Sequence, residues 1–424
     1  MRILWITNQA TPLIASKIGI NIGHGGGWLV ELSRQLSANH DIELCIAFPI
    51  SKSKKLLKGI VDNIHYYAVP FKKDKTKFHS SDVGKFEAII REFQPDIIHI
   101  WGTEYIHSYC AMLACKNFNL LENTVVSIQG LVSIYEKHFY GFIEKKHVNK
   151  FTIKELIKRN NLVKQKKDFV KRGKYEIETL RMARHVIGRT DWDKACSTQI
   201  NPHVRYHFCN ETLRKQFYNK KWDLEKCERH SIFVSQSQYP IKGLHIVLEA
   251  LPTILERYPD TVVYTTGKNR LDRSIKSILK EGTYDKYLKS LIRKYSLENH
   301  IVFLGDLNEN EMCDRFCKSH VLVSASSIEN SPNSVGEAML LGVPVVASDV
   351  GGVKNMLTHG EEGYVYQADA PYMLAYYVCR IFEDDKIALK FSRNARKHAQ
   401  KTHDRKENLA NLLMIYREIG KFDN

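Results

Sequence analysis

The sequence predicts an α/β protein of two doubly wound, largely parallel sheets, each in its own domain. Three observations carry this. Short apolar runs of strand type alternate with helix-period segments along both halves of the chain, the order that builds parallel sheets covered by helices. The rhythm breaks at 201–229, where Pro202, Asn210 and mixed charge intervene. A length of 424 residues also exceeds what one ordinary core fills. The division is then an N-terminal domain at 1–205, a linker at 206–230, a C-terminal domain at 231–403 and a last segment at 404–424.

In the first half, strands are predicted at 2–7, 42–48, 64–69, 96–101, 123–128 and 185–189. Helices fall between them, notably at 28–37, 84–93 and 106–116. The second half predicts strands at 231–235, 261–266, 300–304, 321–325 and 344–348, with helices at 243–257 and 309–318. The segment 404–419 is helical, with Leu409, Leu412, Leu413 and Tyr416 on one stripe.

The segment from Glu329 to Glu337 carries the most chemistry. It reads as a loop breaking into a helix, with Ser331 as N-cap and Pro332 at the first helical position. The amides of Asn333, Ser334 and Val335 are then free at a helix start, where the dipole suits a phosphate. Gly336 permits close approach of a ligand or backbone. Glu337, one turn further in, can accept two hydroxyls of a ribose, and Glu329 stays in the loop ahead. The alternative is a capped surface helix with two solvated glutamates. Its surroundings favour a site: strand, loop, helix, strand and a Gly351-Gly352 loop put these loops at the carboxyl edge of a parallel sheet.

At these residues the chain resembles retaining GT-B glycosyltransferases of the family-four type. Glu329 and Glu337 match the E-x7-E pattern of that family. The likeness extends through Gly336-Glu337-Ala338-Met339, Gly342-Val-Pro344-Val-Val-Ala-Ser348-Asp349 and Gly351-Gly352. It also covers Tyr239-Pro-Ile-Lys242-Gly243 and the Gly25-Gly26-Gly27 loop. It is strong over 231–370 and weak over 50–180. The resemblance implies a GT-B fold, two Rossmann-like domains facing across a cleft, with the last helix packing back on the first. It implies a nucleotide-sugar donor held by the C-terminal domain and an acceptor, glycan or lipid-linked, at the N-terminal one.

Roles follow residue by residue. Glu329 is expected at the transferred sugar, and Lys242, beside a helix start, at the leaving diphosphate. The family's usual arginine five residues before this lysine is Ser237 here, expected to face the donor, so the two-cation clamp is incomplete; Arg270 or Lys268 are the candidates to replace it. Gly26 and Gly27 are expected to border the donor phosphates. A dinucleotide fingerprint is excluded there, because some fifteen residues separate the first strand from Gly23. Where many members carry a sugar-contacting histidine, this chain has Gln129, which hydrogen-bonds but does not titrate. His107 is a further candidate at the acceptor; His24 and His99 read as structural or solvent-facing. Asp191-Trp-Asp193 reads as a helix start behind Thr190 rather than a metal motif, and neither metal nor cofactor is expected. A sugar-nucleotide epimerase, a phosphorylase and a non-catalytic binding module are the rival readings.

The net charge of +16 concentrates in 137–174, with 13 Lys or Arg against three acids, interleaved with Phe139, Phe142, Phe151, Ile153, Leu156 and Ile157. Such a segment suits an anionic membrane face; the alternative is a solvated helical face over an ordinary buried stripe. No nucleic-acid module is recognised. No apolar run is long enough to span a bilayer, the N-terminus reads as a first strand, and nine scattered cysteines suggest reduced thiols, so a cytoplasmic protein is expected, peripheral on the inner membrane face if the basic segment binds there.

Overall fold

The computed structural model describes residues 1–21, 27–51, 53, 55–72, 74, 76–272 and 274–421. Of Gly27, Trp28 and Lys276 only the backbone is described. Gly25, Gly26 and His24 lie outside the described residues. The chain forms two compact units. One comprises Met1–Glu136, Asp168–Thr212 and His403–Asn424; the other comprises Lys137–Lys167 and Leu213–Thr402.

The first unit is built on β1 (Arg2–Ile6), β2 (Glu43–Ile50), β3 (Leu57–Val61), β4 (Ile64–Pro70), β5 (Ile97–Trp101), β6 (Thr124–Ser127), β7 (His185–Gly188) and β8 (Arg205–Phe208). Their order across the sheet is β3-β4-β2-β1-β5-β6-β7-β8. Among the described residues only the edge strand β3 runs antiparallel, in a hairpin with β4 turned by Asp62 and Asn63, both at positive φ. Central strands are buried on both faces, which is why they read as unbroken apolar runs. Ile3 and Trp5 face a core shared with Leu412, Ile415 and Tyr416 of the last helix, Arg405–Gly420. Leu4 and Ile6 face the opposite core, with Phe86, Ile89 and Ala111 from helices Ser81–Phe93 and Ile106–Asn117.

A buried polar chain ties the last helix to this sheet. The Trp5 indole N–H donates to Tyr416 Oη at 3.0 Å, and Tyr416 Oη donates to His99 Nδ1 at 2.5 Å. That leaves the proton of the ring on Nε2, which donates to Ser127 Oγ at 2.7 Å. Burial holds His99 well below the usual histidine range, so the ring is neutral and this tautomer satisfies every member. His99 is thus structural.

The second unit is built on β9 (Glu228–Val234), β10 (Val262–Thr265), β11 (Ile301–Phe303), β12 (Ser319–Ser324), β13 (Val345–Ser348) and β14 (Tyr364–Tyr366). The order β11-β10-β9-β12-β13-β14, all parallel, reverses between β9 and β12, a topological switch point. Glu228 and Ser319 at the amino ends of β9 and β12 are joined by Arg315, which reaches both side chains.

Strands β3, β8 and β14 were not expected from the sequence. All three are edge elements whose apolar residues are interrupted by polar or charged ones (β3, β8) or number only three (β14). Strand β8 lies where the linker was expected, hydrogen-bonded beside β7. The basic segment is also divided: 137–167 groups with the second unit, whereas 168–174 lies in helix Leu162–Met182 and groups with the first.

The Trp5–Tyr416–His99 chain makes a stability prediction. Tyr416→Phe leaves an indole N–H and an imidazole nitrogen buried without a partner, and should lower the stability of the first unit by about 2 kcal/mol in urea unfolding.

Candidate functional site

The carboxyl edge of the second sheet gathers the loops after β9, β12 and β13. Close backbone approaches hold them together. Gly243, at φ +69°, lies so near the Ala325 carbonyl that a Cβ would collide with it. Gly351, at φ +52°, packs in the same way on the Glu329 carbonyl, which also accepts from the Gly352 N–H at 3.2 Å. Ser327 N–H donates to the Ile241 carbonyl at 2.8 Å, and Ser348 Oγ to the Ser326 carbonyl at 2.6 Å.

This scaffold brings Lys242 and Glu329 together across 87 residues of sequence: Lys242 Nζ lies 2.5 Å from Glu329 Oε1. Lys242 ends the short 3-10 turn Pro240–Lys242, and its ammonium is partly exposed. Glu329 is nearly buried and also accepts from Ser326 Oγ at 2.7 Å. A partly exposed cation is thus paired at the sheet edge with a buried carboxylate.

Glu337 sits in helix Asn333–Leu341, buried, and is held by a residue the sequence reading missed. Arg214 donates from Nε and Nη2 to its two oxygens at 2.6 and 2.7 Å. The guanidinium also covers the Phe217 ring, 4.6 Å from its centroid. Burial pushes the Glu337 carboxyl up and the Arg214 charge opposes this; in turn the carboxylate raises Arg214. Each carboxylate oxygen keeps a lone pair for a further donor. Arg214 lies in the segment expected to be a linker, and no local pattern marks it; Phe217 and Trp222, both buried, were the available signal that this stretch packs.

Several expectations need correction. Pro332, not Ser331, is the N-cap, and Ser331 Oγ contacts Met356 Sδ at 3.3 Å instead. The Val335 N–H donates to the Pro332 carbonyl at 2.9 Å, so only the amides of Asn333 and Ser334 lack an acceptor among the described residues. Ser237, taken as donor-facing, is fully buried: its hydroxyl donates to the Thr266 carbonyl at 2.8 Å and accepts from Arg270 Nη1 at 3.2 Å. Arg270 therefore comes to the place of the missing arginine, but it is itself buried and paired with Asp285 at 2.9 Å. Lys268 is the more exposed of the two candidate cations, 3.9 Å from Asp285. The loop carrying both meets the loop after β11, where the Gly267 N–H donates to the Gly305 carbonyl at 2.8 Å.

The first unit presents its own carboxyl edge. A cavity of about 350 Å³ is lined there by Asn8, Ser51, Lys72, His79, Tyr105 and His107. His107 is buried on helix Ile106–Asn117, edge-on to Phe71. Gln129, at the end of β6, donates to Glu211 Oε1 at 2.6 Å, and Glu211 pairs with Arg189 at 2.5 Å. Gly27 begins helix Gly27–Ser37. Beside the cavity, Glu176 is buried with donors from Thr103, Val132 and Ser133. Glu104 is its neighbour; burial first, then the Glu176 charge, pushes its carboxyl up to about 7, with Asn8 and Arg172 opposing.

Asp191 and Asp193 open helix Asp191–Ile200, where Thr190 and Asp193 form a reciprocal cap, as the sequence reading has it. Among the described residues, no group of three His, Cys, Asp or Glu is arranged to hold a metal ion.

Comparison with known proteins fits this geometry. Residues 215–398 match the family model "Glycosyl transferases group 1". The chain is 29% identical to YtcC of Bacillus subtilis over 189 residues, 44% of each chain. It is 24% identical over 198 residues to a phosphatidyl-myo-inositol mannosyltransferase of Mycolicibacterium smegmatis, covering 45% of this chain and 46% of the relative. The matches thus span less than half the length of these relatives. Among solved structures, sucrose-phosphate synthase from Thermosynechococcus elongatus aligns over all of both chains with a TM-score of 0.73 at 15% identity. Anabaena HepE in complex with UDP-glucose aligns over 98% of this chain and 100% of its own, with a TM-score of 0.67 at 16% identity. Two parallel-sheet units with these likenesses define the GT-B fold. Over residues 215–398 the chain is therefore similar to the glycosyl transferases group 1 family.

Two outcomes follow from the buried charges. Arg214→Ala strands the Glu337 carboxylate, and should cost the second unit about 3 kcal/mol in urea unfolding, whereas an exposed arginine such as Arg293 should cost almost nothing. Glu104 titrates near 4.5 when unfolded and about 7 when folded. Between these values the folded state binds the extra proton, so this residue's contribution to stability falls as pH rises from 4.5 to 7. Glu104→Gln should flatten the dependence of the thermal midpoint on pH in that window.

Proposed function

We propose that the chain is a retaining glycosyltransferase that moves a sugar from a nucleotide-sugar donor to a glycan or lipid-linked acceptor. The observation that carries this is the Lys242–Glu329 pair at the carboxyl edge of the second sheet. An anionic diphosphate competes with Glu329 for the ammonium, so donor binding frees the carboxylate next to the sugar while Lys242 neutralises the departing charge. The amides of Asn333 and Ser334 add donors at a helix start. Glu337, oriented by Arg214, takes the ribose hydroxyls on its remaining lone pairs. The loops joined at Gly267 and Gly305 flank the base. As the bond from sugar to phosphate breaks, the acceptor hydroxyl attacks from the same face and its proton passes to the leaving phosphate oxygen, which retains the anomeric configuration. No residue base is required, which accords with Gln129.

The cavity of the first unit, with His107, is the reading for the acceptor. A UDP-glucose complex of HepE and the mannosyltransferase activity named for a relative support a nucleotide-sugar donor without choosing the base. Assembly of cell-surface polysaccharide, at the inner face of the membrane, is the role that best unites these features. Among the described residues no helix is long and apolar enough to cross a membrane.

The test is a thermal-shift screen against UDP, GDP, ADP and their sugar conjugates. One nucleotide class should raise the midpoint, increasingly as its concentration exceeds its dissociation constant, and Glu337→Gln should weaken that shift. With the matching donor, Lys242→Ala should lower kcat on the order of 10²-fold or more. Absence of a shift with every nucleotide would sink the donor site.

A further inference from the structure

Helices Ile153–Lys158 and Ile275–Leu279 lie over 120 positions apart in sequence but are locked together within the second unit. The Thr283 N–H and hydroxyl, just beyond the second helix, donate to Glu155 at 2.8 and 2.5 Å. Lys154 Nζ donates to the Lys280 carbonyl at 2.9 Å. Each helix has one buried side, marked by Glu155 in the first and Ser277 in the second. The other sides are apolar and exposed. Ile153, Leu156 and Ile157 are 62, 63 and 77% exposed, and Ile275, Ile278 and Leu279 are 77, 50 and 53% exposed. Both triplets follow the i, i+3, i+4 spacing of a helical stripe. A buried stripe would have this pattern; here it faces outward on both helices. Six exposed aliphatic side chains on two joined short helices form a surface that soluble proteins rarely leave in water.

Charge decides what covers it. Lys150, Lys158, Arg159 and Lys280 are exposed at its margins. The one acid between 150 and 159 is Glu155, whose carboxylate is spent on Thr283. An apolar stripe flanked by cations is the chemistry of an interfacial helix on anionic lipid, aliphatic groups entering the acyl boundary and ammonium groups meeting phosphates. We propose that these two helices form one docking face for an anionic lipid bilayer. The face joins part of the basic segment to 275–279, far from it in sequence, and stands whether or not the chain transfers sugar.

The experiment is co-sedimentation of the full chain with phosphatidylcholine vesicles, with and without phosphatidylglycerol. The chain should sediment with the anionic vesicles, less so at high salt, and little with phosphatidylcholine alone. The double variant Ile157→Asp with Ile275→Asp should weaken anionic binding at least tenfold with an unchanged thermal midpoint, because both side chains are exposed. Lys158→Glu with Lys280→Glu should erase the preference for phosphatidylglycerol. Nucleotide thermal shifts should be the same in all these variants, which separates this face from the donor site. Failure of the wild type to sediment with anionic vesicles, or equal binding by the aspartate variant, overturns the proposal. So does a dimer that the aspartate variant dissociates while vesicles are ignored, which would assign the face to a second copy.

Discussion

The candidate site of the second unit depends on backbone meeting backbone. Gly243 against the Ala325 carbonyl, and Gly351 against the Glu329 carbonyl, leave no room for a side chain, and both glycines sit at positive φ. These contacts join the loops after three neighbouring strands, so that Lys242 and Glu329 need no long-range packing of their own to meet. Parallel strands supply the rest of the constraint. Every such strand must point its carboxyl end the same way, so every loop that follows one adds to the same edge.

On that edge the charges are arranged in partly buried pairs: Lys242 with Glu329, Arg214 with Glu337, Arg270 with Asp285. Such pairs contribute little to net stability, since desolvation offsets their attraction, but each fixes a carboxylate or cation in one orientation. The three differ in accessibility. Arg270 is nearly inaccessible and positions the Ser237 loop, whereas the Lys242 ammonium remains partly exposed and can exchange partners. The hydroxyl of Ser237, where a cation was expected, is what lets the Arg270 guanidinium settle in that place.

The first unit solves a different problem. Its last helix arrives from the far end of the chain and is held by a buried polar chain from Trp5 through Tyr416 and His99 to Ser127. A neutral imidazole with both nitrogens bonded imposes no charge on the core, so the chain adds orientation at small cost. The insertion at 137–167 works the opposite way: it leaves the sequence of the first unit, anchors through Glu155 on Thr283, and turns its apolar side outward.

Local periodicity determined much of this protein. Apolar runs placed β1, β2, β4 to β7 and β9 to β13, because a strand packed in a sheet core needs such runs wherever it lies. The helix opened near Asn333, the cap at Thr190 and the stripe of the last helix were equally legible, since each rests on residues within one or two turns. The edge strands β3, β8 and β14 were not, because their apolar residues are interrupted by polar or charged ones or number only three. What only the tertiary structure decided are the partnerships. Arg214 reaches Glu337 across 123 positions, Lys242 reaches Glu329 across 87, and Arg270 reaches Ser237 across 33. Spacing says on which face of its own element a side chain stands, and nothing about which loop from another strand arrives there. For the same reason Ile153, Leu156 and Ile157 read as one half of an amphipathic pattern, and only the fold showed that the apolar side faces out, as it does at Ile275.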